Sequence, residues 1–469
     1  MEGHEASIVT KSYAVGSVAT KRLDPEYFQK QYLLDEQMIA DRKAFFSSAS
    51  DVGVAVDASA FYPSIEEFYG VGDFPFYRVG DVDGIIDEVR SLRIPEELCS
   101  NFPTLKRVLP GDILFTKGGA IDRTGYVKSP GAVSRDLIFL NTSKLPESER
   151  LCLFAYFRTD LFRRLLKRSS SQTAQPHLTI TLVRELPFFV GSKPLGDAIG
   201  SLINRAYSYL DSARNSMENA ERLLLQELGL VGWTPPEPLS YTARAIDVFA
   251  SGRIDAQYFR PLFSEVEARL QSTGNALELG TILTTNARGR QPIYADDGLP
   301  VVNSKHVRTH RVILDDNRTA QERGSPVIIK PGDVLVNGTG VGTIGRAAPY
   351  LHDAPALPDN HVTVLRTKAV DPIYLSVFLN SPLGQWQIER RIKGSSGQIE
   401  LYPNDIAGIV IWRAPNDVQQ SVRAAILSAF DEERHASDLL EAAKRAVEIA
   451  IGDGEAAAIA YLNQVRGEN

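Results

Sequence analysis

A heptad pattern near the middle of the chain limits most strongly what this sequence can fold into. The apolar residues of this stretch recur at alternating steps of four and three, and polar side chains cover its other faces. Such a seam predicts one long helix that packs along its length against a partner helix. The seam residues are Ile199, Ile203, Ala206, Leu210, Ala213, Met217, Ala220 and Leu224.

A second heptad helix is predicted near the end of the chain. Asn416 is suited to be its N-cap, with Gln419 three residues later, as in a capping box. Glu432 interrupts its seam, which is expected to fix the register at some cost in stability. We expect the two helices to pair antiparallel. The second seam comprises Val418, Val422, Ala425, Ala429, Ala436, Leu439, Ala443, Ala446 and Ala450.

The sequences before and after the first helix resemble one another. Residues 21–28 and 252–259 share the pattern Arg, aliphatic, Asp, two variable residues, Tyr, Phe. Further matches follow in the same order, with offsets between about 220 and 231, and they predict two copies of one domain. They pair 74–82 with 299–307, 110–114 with 331–335, 118–125 with 338–345, 162–168 with 386–393, 175–178 with 398–401, and 186–190 with 409–412.

Each copy is expected to mix short strands with a few helices. A Pro-Gly-Asp turn introduces the strands predicted at 113–115 and 334–336. Helices are predicted at 148–167 and 372–393, each followed by a polar loop. The fold class is therefore α+β, with two repeated α/β domains separated and followed by long helices in an antiparallel coiled coil. The first domain is predicted at 1–190 and the central coiled-coil helix at 191–232. The second domain is predicted at 233–413 and the C-terminal coiled-coil helix at 414–469.

Composition sets the outer limits of function. A length of 469 residues suggests two to four domains, and a net charge of −7 leaves room for a local basic surface only. Cys99 and Cys152 are the only cysteines, which fits a reducing cytoplasm. No apolar window has the length of a membrane span, and the N-terminus has no apolar signal-peptide core, so we expect no membrane association.

Motifs that would carry catalysis or bind a metal are incomplete. Residues 340–345 spell G-x-G-x-x-G, but Pro349 follows where the dinucleotide fingerprint needs a helix, so a tight glycine turn is favoured. His306 and His310 have the spacing of a metal pair on a helix, yet they lie in a predicted strand or loop. Because no nuclease or amino-methyltransferase motif is complete either, we expect no catalytic residue, metal or cofactor in this chain.

Basic clusters beside polar loops are the candidate nucleic-acid contacts. Lys and Arg side chains hold phosphates, while Gln, Asn and Ser side chains read base edges. The alternative is that cations at a helix C-terminus only complement its dipole and are solvated. The predicted DNA-binding residues are Lys117, Arg123, Arg168, Gln172 and Gln175 in the first copy, and Lys305, Arg308, Asn337, Arg346, Lys393, Ser396 and Gln398 in the second.

This arrangement resembles the specificity subunit of type I restriction–modification systems, which act in host defence. The resemblance implies two target-recognition domains, each reading one half of a bipartite target in double-stranded DNA. The long helices would set the spacing and bind modification subunits, two of them, with restriction subunits as further candidate partners. Catalysis, S-adenosylmethionine and ATP would belong to those partners. The residues that carry the resemblance are 110–114, 169–179, 331–335, 341–345, 394–401 and 445–450.

Two functions of other classes remain open at this point. The chain would also suit a two-domain enzyme that modifies nucleic acid through an unrecognised site. A coiled-coil scaffold that binds only protein is the third candidate. The sequence does not specify the target bases, the gap between half-sites or the methylated base.

Overall fold

The computed structural model describes residues 7–16, 24–118, 121, 123–170, 177–340, 342–394 and 399–467. The chain divides into two compact units. Unit 1 comprises Met1–Leu210 and Arg434–Asn469, and unit 2 comprises Asp211–Glu433. Both units mix helices with short strands, so the α+β class is confirmed. No helix within the described ranges has the length and apolarity needed to cross a membrane.

Unit 1 is built from short strands with helices along the chain before and after them. The helices are α1 (Lys11–Gly16), α2 (Lys30–Asp41), α3 (Ala49–Val52), α4 (Leu98–Asn101), α5 (Glu147–Phe157), α6 (Asp160–Ser169), α7 (Ile180–Glu185) and the start of α8 (Lys193–Glu227). The strands are β1 (Phe46–Ser47), β2 (Ala55–Ala58), β3 (Phe74–Tyr77), β4 (Gly84–Ile85), β5 (Leu92–Ile94), β6 (Arg107–Val108), β7 (Ile113–Thr116), β8 (Thr124–Tyr126), β9 (Gly131–Val133), β10 (Leu137–Asn141) and β11 (Phe188–Phe189).

Unit 2 repeats this order of elements. Its strands are β12 (Ala276–Glu278), β13 (Thr285–Arg288), β14 (Tyr294–Val302), β15 (Val307–Arg308), β16 (Arg311–Val312), β17 (Thr319–Ala320), β18 (Val334–Asn337), β19 (Ala347–Pro349), β20 (Leu357–Pro358), β21 (Val362–Arg366) and β22 (Val410–Trp412). Its helices are α9 (Ala245–Ser251), α10 (Pro261–Ser272), α11 (Pro372–Asn380), α12 (Pro382–Arg391), α13 (Pro403–Ala407) and the start of α14 (Asn416–Asp453). After α14, helix α15 (Glu455–Gly467) ends the described chain in unit 1.

Strand pairing shows that the sequence repeat is a structural repeat. In unit 1 the strand order β2-β10-β7-β8 is matched in unit 2 by β13-β21-β18-β19, with every pair antiparallel. The parallel pair β3–β9 corresponds to β14–β20, and the antiparallel pair β1–β11 corresponds to β12–β22. Two copies of one domain are therefore present, as the internal matches predicted.

The Pro-Gly-Asp turn that leads into β7 and β18 has the same geometry in both copies. Gly111 and Gly332 have φ angles of 96° and 86°, a region that favours glycine because it lacks a Cβ atom. The carboxylates of Asp112 and Asp333 then accept the backbone N–H of the residue three positions earlier, both at 2.8 Å. The turn thus fixes where each central strand begins.

The two predicted helices after the sheets are each broken in the middle. Residues 148–167 form α5 and α6, because the Thr159 hydroxyl caps α6 by accepting the N–H of Phe162 at 3.3 Å. Residues 372–393 form α11 and α12, because Pro382 lacks the N–H that a continuous helix requires. The predicted helical content was right, and the single-helix interpretation was wrong.

The long helices match the heptad predictions closely. Helix α8 has 35 residues and α14 has 38. In unit 1, buried Ile199 and Ala206 of α8 share a core with Ala436 and Ala443 of α14. In unit 2 the later part of α8 packs with the early part of α14, so the pair is antiparallel, as predicted; Ala220 and Leu224 meet Val422 and Ile426.

The polar interruption of the seam has partners on the facing helix. Glu432 accepts hydrogen bonds from the hydroxyls of Ser212 at 2.7 Å and Ser216 at 3.2 Å. The predicted capping box at the start of α14 is not formed. Gln419 instead accepts the N–H of Asp371 at 2.7 Å and donates to the carbonyl of Ala414 at 2.8 Å. Its side chain therefore ties α14 to the preceding domain.

Candidate nucleic-acid interface

Two segments that are distant in sequence meet at the same place in both units. One follows the central strand, and the other precedes α7 or α13. In unit 1 the N–H of Leu178 donates to the carbonyl of Lys117 at 2.9 Å. In unit 2 the N–H of Leu401 donates to the carbonyl of Gly338, also at 2.9 Å. The backbone just after each polar loop is thus brought next to the segment that follows the central strand, in both units.

A third segment lies beside these two in each unit. It links β9 to β10 in unit 1 and β20 to β21 in unit 2. The N–H of Lys117 donates to the carbonyl of Asp136 at 2.8 Å, and the N–H of Gly338 donates to that of His361 at 2.7 Å. The antiparallel pairing of β10 with β7, and of β21 with β18, puts these strand ends side by side. We call the three segments together the paired-loop surface. Among the described residues it comprises 117–118, 121, 123, 134–136 and 177–178 in unit 1, and 338–340, 342–346, 359–361, 393–394 and 399–401 in unit 2.

An arginine closes the glycine turn at equivalent positions of the two units. The carbonyl of Arg123 accepts the N–H of Thr116 at 3.3 Å, and the carbonyl of Arg346 accepts the N–H of Asn337 at 3.0 Å. Arg123 is exposed and Arg346 is half-buried. Both residues were predicted DNA contacts, so the structure places two predicted cations at one repeated site.

A basic cluster extends the surface in unit 2. Arg308 is exposed on the β15–β16 hairpin, and Arg346 donates to the carbonyl of Val307 at 3.5 Å. Burial, and after it the charge of Arg308, lowers the pKa of Arg346. Two guanidinium groups held this close create a local positive potential that attracts a phosphate.

The remaining predicted lysines lie at the surface. Lys117 is half-buried on the paired-loop surface. Lys305 is exposed and forms an ion pair with Asp316. The ammonium of Lys393 pairs with Asp405 at 2.7 Å, and its backbone pairs with Glu400. The Lys305–Asp316 pair is exposed on both sides, and an exposed pair of this kind contributes little to stability. Gln172, Gln175, Ser396 and Gln398 lie outside the described residues.

Arg168 does not occupy a position from which it can contact DNA. The residue is only 7% exposed, and its Nη2 pairs with Glu36 at 3.0 Å. The guanidinium also lies 4.2 Å from the ring centre of Tyr27. We therefore correct the assignment: Arg168 anchors α6 to the start of the chain, because its charge is already satisfied inside the unit.

Asn337 is likewise enclosed. It is fully buried in β18, and its Nδ2 donates to the carbonyl of Ser304 at 3.1 Å. Because base reading requires an exposed amide, Asn337 in this position supports the strand and the neighbouring link rather than a base edge.

The Tyr of the repeated opening motif has a role that the sequence did not reveal. Arg390 of α12 stands where Arg168 stands in α6, with its guanidinium 4.6 Å from the ring centre of Tyr258. It pairs with Glu267 at 2.9 Å. In both units a Tyr of the motif therefore stacks on an arginine that pairs with a glutamate of the next helix. Some cations at these helix ends are therefore internal anchors. The alternative to DNA contact had these cations solvated, so it did not foresee this role.

Arg288 is a site residue that sequence reasoning missed. Its Nη1 pairs with Glu400 at 2.7 Å, and its Nη2 donates to the carbonyl of Gly338 at 2.9 Å. It thus holds two segments of the paired-loop surface together in unit 2. Ala58 occupies the equivalent strand position in unit 1. No signal in the sequence marks Arg288, because its partners lie 50 and 112 residues away.

No protein-family model matches the sequence, and no curated protein matches it significantly. Among solved structures, a type I restriction–modification S subunit from M. genitalium is 11% identical, with a TM-score of 0.32 over 89% of this chain and 93% of that one. The HsdS subunit from Thermoanaerobacter tengcongensis is 14% identical, with a TM-score of 0.23 over 79% and 90%. A structure on assembly and conformational transition of the type I R-M system is 15% identical, with a TM-score of 0.28 over 83% and 90%. Likeness at this level does not identify what a chain binds.

Within the part of the chain that the structure describes, no three His, Cys, Asp or Glu side chains converge as metal ligands. His306 is buried, and its Nε2 lies 2.9 Å from Asp316 Oδ1, while His310 Nδ1 lies 3.1 Å from the hydroxyl of Ser376. The two histidines therefore face different partners and do not form a pair.

Proposed function

We propose that this chain is a non-catalytic DNA-recognition subunit that reads a double-stranded target in two parts. The observation that carries the proposal is the repetition of the paired-loop surface, with Arg123 and Arg346 at the same position in each copy. A duplicated reading surface suits a target made of two half-sites. The heptad helix that follows each copy suits a fixed spacing between them.

The proposal divides the work between phosphate and base contacts. The cations Lys117, Arg123, Arg308 and Arg346 would hold phosphates and set the register, with Lys305 and Lys393 at the edge. Gln172, Gln175, Ser396 and Gln398 would read base edges from the polar loops. Arg168 and Asn337 take no part, because both are buried.

Chemistry would belong to partner proteins. We propose that the helix pair binds two modification subunits and that restriction subunits can join them. S-adenosylmethionine and ATP would then act on those partners rather than on this chain. We also expect the chain to act in the cytoplasm.

The assembled complex tests the proposal directly. Methylation sites mapped on random DNA are expected to reveal two short half-sites with an unread gap. Arg123→Gln and Arg346→Gln should each weaken binding and lower the slope of log affinity against log salt by about one. Arg323→Gln, an exposed charge change outside the surface, is the matched control.

Three results would contradict the proposal. A continuous recognition sequence would remove the need for two reading domains. Equal effects of Arg323→Gln and the two test variants would detach the function from the paired-loop surface. Methylation or cleavage by the purified chain alone, abolished by a point mutation within it, would instead establish the enzyme alternative.

A further inference from the structure

A cavity of about 590 Å³ lies beside the paired-loop surface in unit 1. Phe61, Tyr62 and Tyr69 form its aromatic walls, and Phe76, which is 2% exposed, lies at its base. The carbonyl of Asp136, another lining residue, accepts the N–H of Lys117, so the cavity borders the paired-loop surface. Its volume lies in the range of small-ligand sites.

The walls of the cavity are fixed by the fold. The Thr104 hydroxyl donates to the carbonyl of Phe61 at 2.7 Å, and the N–H of Gly70 donates to the carbonyl of Arg93 at 2.9 Å. Between these points the segment is anchored by Ile65, which is 2% exposed and packs in a local core. A site that is already formed loses little entropy when a ligand enters it.

One buried polar atom in the lining lacks a partner. Ser134 is 6% exposed, and within the described residues its hydroxyl has no hydrogen-bond partner. A buried hydroxyl without a partner costs free energy, so a ligand that supplies one is favoured. This points to a ligand with polar atoms at its edge.

The charges of the rim exclude a simple anion site. Arg78 and Arg135 are matched in number by Glu66 and Asp136. Two donors and two acceptors around aromatic walls instead suit a flat, neutral ring whose edge both donates and accepts hydrogen bonds. Base–aromatic stacking of this kind tolerates every base, and the edge contacts add selectivity.

We propose that this cavity receives one unstacked nucleobase, with Phe61 and Tyr69 as stacking partners and the Ser134 hydroxyl at its edge. The base comes either from a DNA strand or from a free nucleoside. Only the first source rests on the proposed function. The equivalent described segment of unit 2, residues 289–298, has no such wall, because it contains one aromatic residue, Tyr294. Residues 59–73 of unit 1 contain Phe61, Tyr62, Phe68 and Tyr69.

The test compares two exposed aromatic residues of the full chain. Phe61 is 77% exposed and Phe249 of unit 2 is 84% exposed, so replacing either with alanine leaves the cores intact. Binding is measured by calorimetry with the four free nucleosides. It is also measured by anisotropy with DNA duplexes that are fully paired or carry one unpaired base.

We expect Phe61→Ala to weaken binding of the unpaired-base duplex, or of a nucleoside, by about tenfold, while Phe249→Ala leaves it unchanged. A response only with duplex identifies DNA as the source of the base, and a response only with nucleoside identifies the free compound. Ser134→Ala should weaken binding of the same probe, because it removes the hydroxyl at the edge of the base.

Equal binding by Phe61→Ala and Phe249→Ala for every probe would overturn the inference. That result leaves the proposed function intact if the fully paired duplex still binds. Conversely, the proposed function is contradicted if the complex of this chain with its partner subunits binds no duplex. Nucleoside binding that depends on Phe61 would still support the cavity as a base site in that case.

Discussion

The two units share a frame and differ at the surface that the frame supports. Both have the same strand order, the same Pro-Gly-Asp turn and the same arginine stacked on a motif tyrosine. At the paired-loop surface, unit 2 has the Arg288 clamp and a basic hairpin, whereas unit 1 has Ala58 and an aromatic cavity. Duplicated folds keep the residues that pack and vary those that face a ligand, so the two half-sites are expected to differ in sequence.

The largest effect is expected from lengthening α8 and α14, each of which runs from one unit into the other. One heptad inserted after Leu210 and one after Glu433 keeps both seams in register and adds about 10 Å. DNA with the original gap should then lose about 100-fold in affinity, because both half-sites no longer bind together. Affinity should return when the gap grows by about three base pairs, with both half-sites unchanged.

Methylation mapping of the complex measures this result. The test variant carries the insertion in both helices of the coiled coil. The control variant carries it in one helix alone, which breaks the seam. If the preferred gap does not change with helix length, the helices do not set the spacing between the half-sites.

The second prediction separates the two arginine anchors. Arg168→Ala should destabilise unit 1 by about 3 kcal/mol, because the buried guanidinium bonds Glu36 and the carbonyl of Tyr27. Arg390→Ala should cost less, since Arg391 also pairs with Glu267, at 2.9 Å. Urea unfolding measures both. The control is Arg163→Ala, a side chain that is 41% exposed.

An opposite outcome would restore the DNA assignment for Arg168. If Arg168→Ala unfolds at the same urea concentration as Arg163→Ala but lowers the salt dependence of DNA binding, its guanidinium reaches a phosphate in the complex.

A third change tests the helix seam in unit 2. Met217 packs against the core there, so Met217→Asp places a charge among apolar residues and should cost about 2 kcal/mol. Assembly with modification subunits should weaken as well. Ser208→Asp, an exposed position of the same helix, is the control. Normal assembly of Met217→Asp would mean that the seam is misplaced.

The smallest effect concerns the clamp of unit 2. Arg288→Ala removes the ion pair with Glu400 and the hydrogen bond to Gly338, at a cost of about 1 kcal/mol. Hydrogen exchange at 399–401 should accelerate, and discrimination at one half-site should relax. Ala58→Ser, at the equivalent position in unit 1, should leave both half-sites as they are. Unchanged exchange in the Arg288 variant would show that backbone pairing alone holds the surface.

Much of the frame was readable from the sequence because its signals are local. The heptad spacing predicted α8 and α14, and the Pro-Gly-Asp turns predicted β7 and β18, since periodicity and turn chemistry act over a few residues. The helix break at Pro382 was also local in origin, and the sequence reading passed over it. The internal sequence repeat predicted two domains, although it did not predict how their strands pair.

The roles of individual charged side chains were decided by tertiary packing. Arg168 and Arg123 look alike in the sequence, yet one is buried against Tyr27 and the other is exposed at the turn. Arg288 becomes a clamp only because β13 pairs with β21, which also pairs with β18, the strand that ends just before Gly338. Whether a charge meets solvent or a partner depends on chain segments more than a hundred residues apart, and no local pattern encodes that distance. The sequence therefore determined the elements and their repetition, and only the packed structure decided which cations are left to face a ligand.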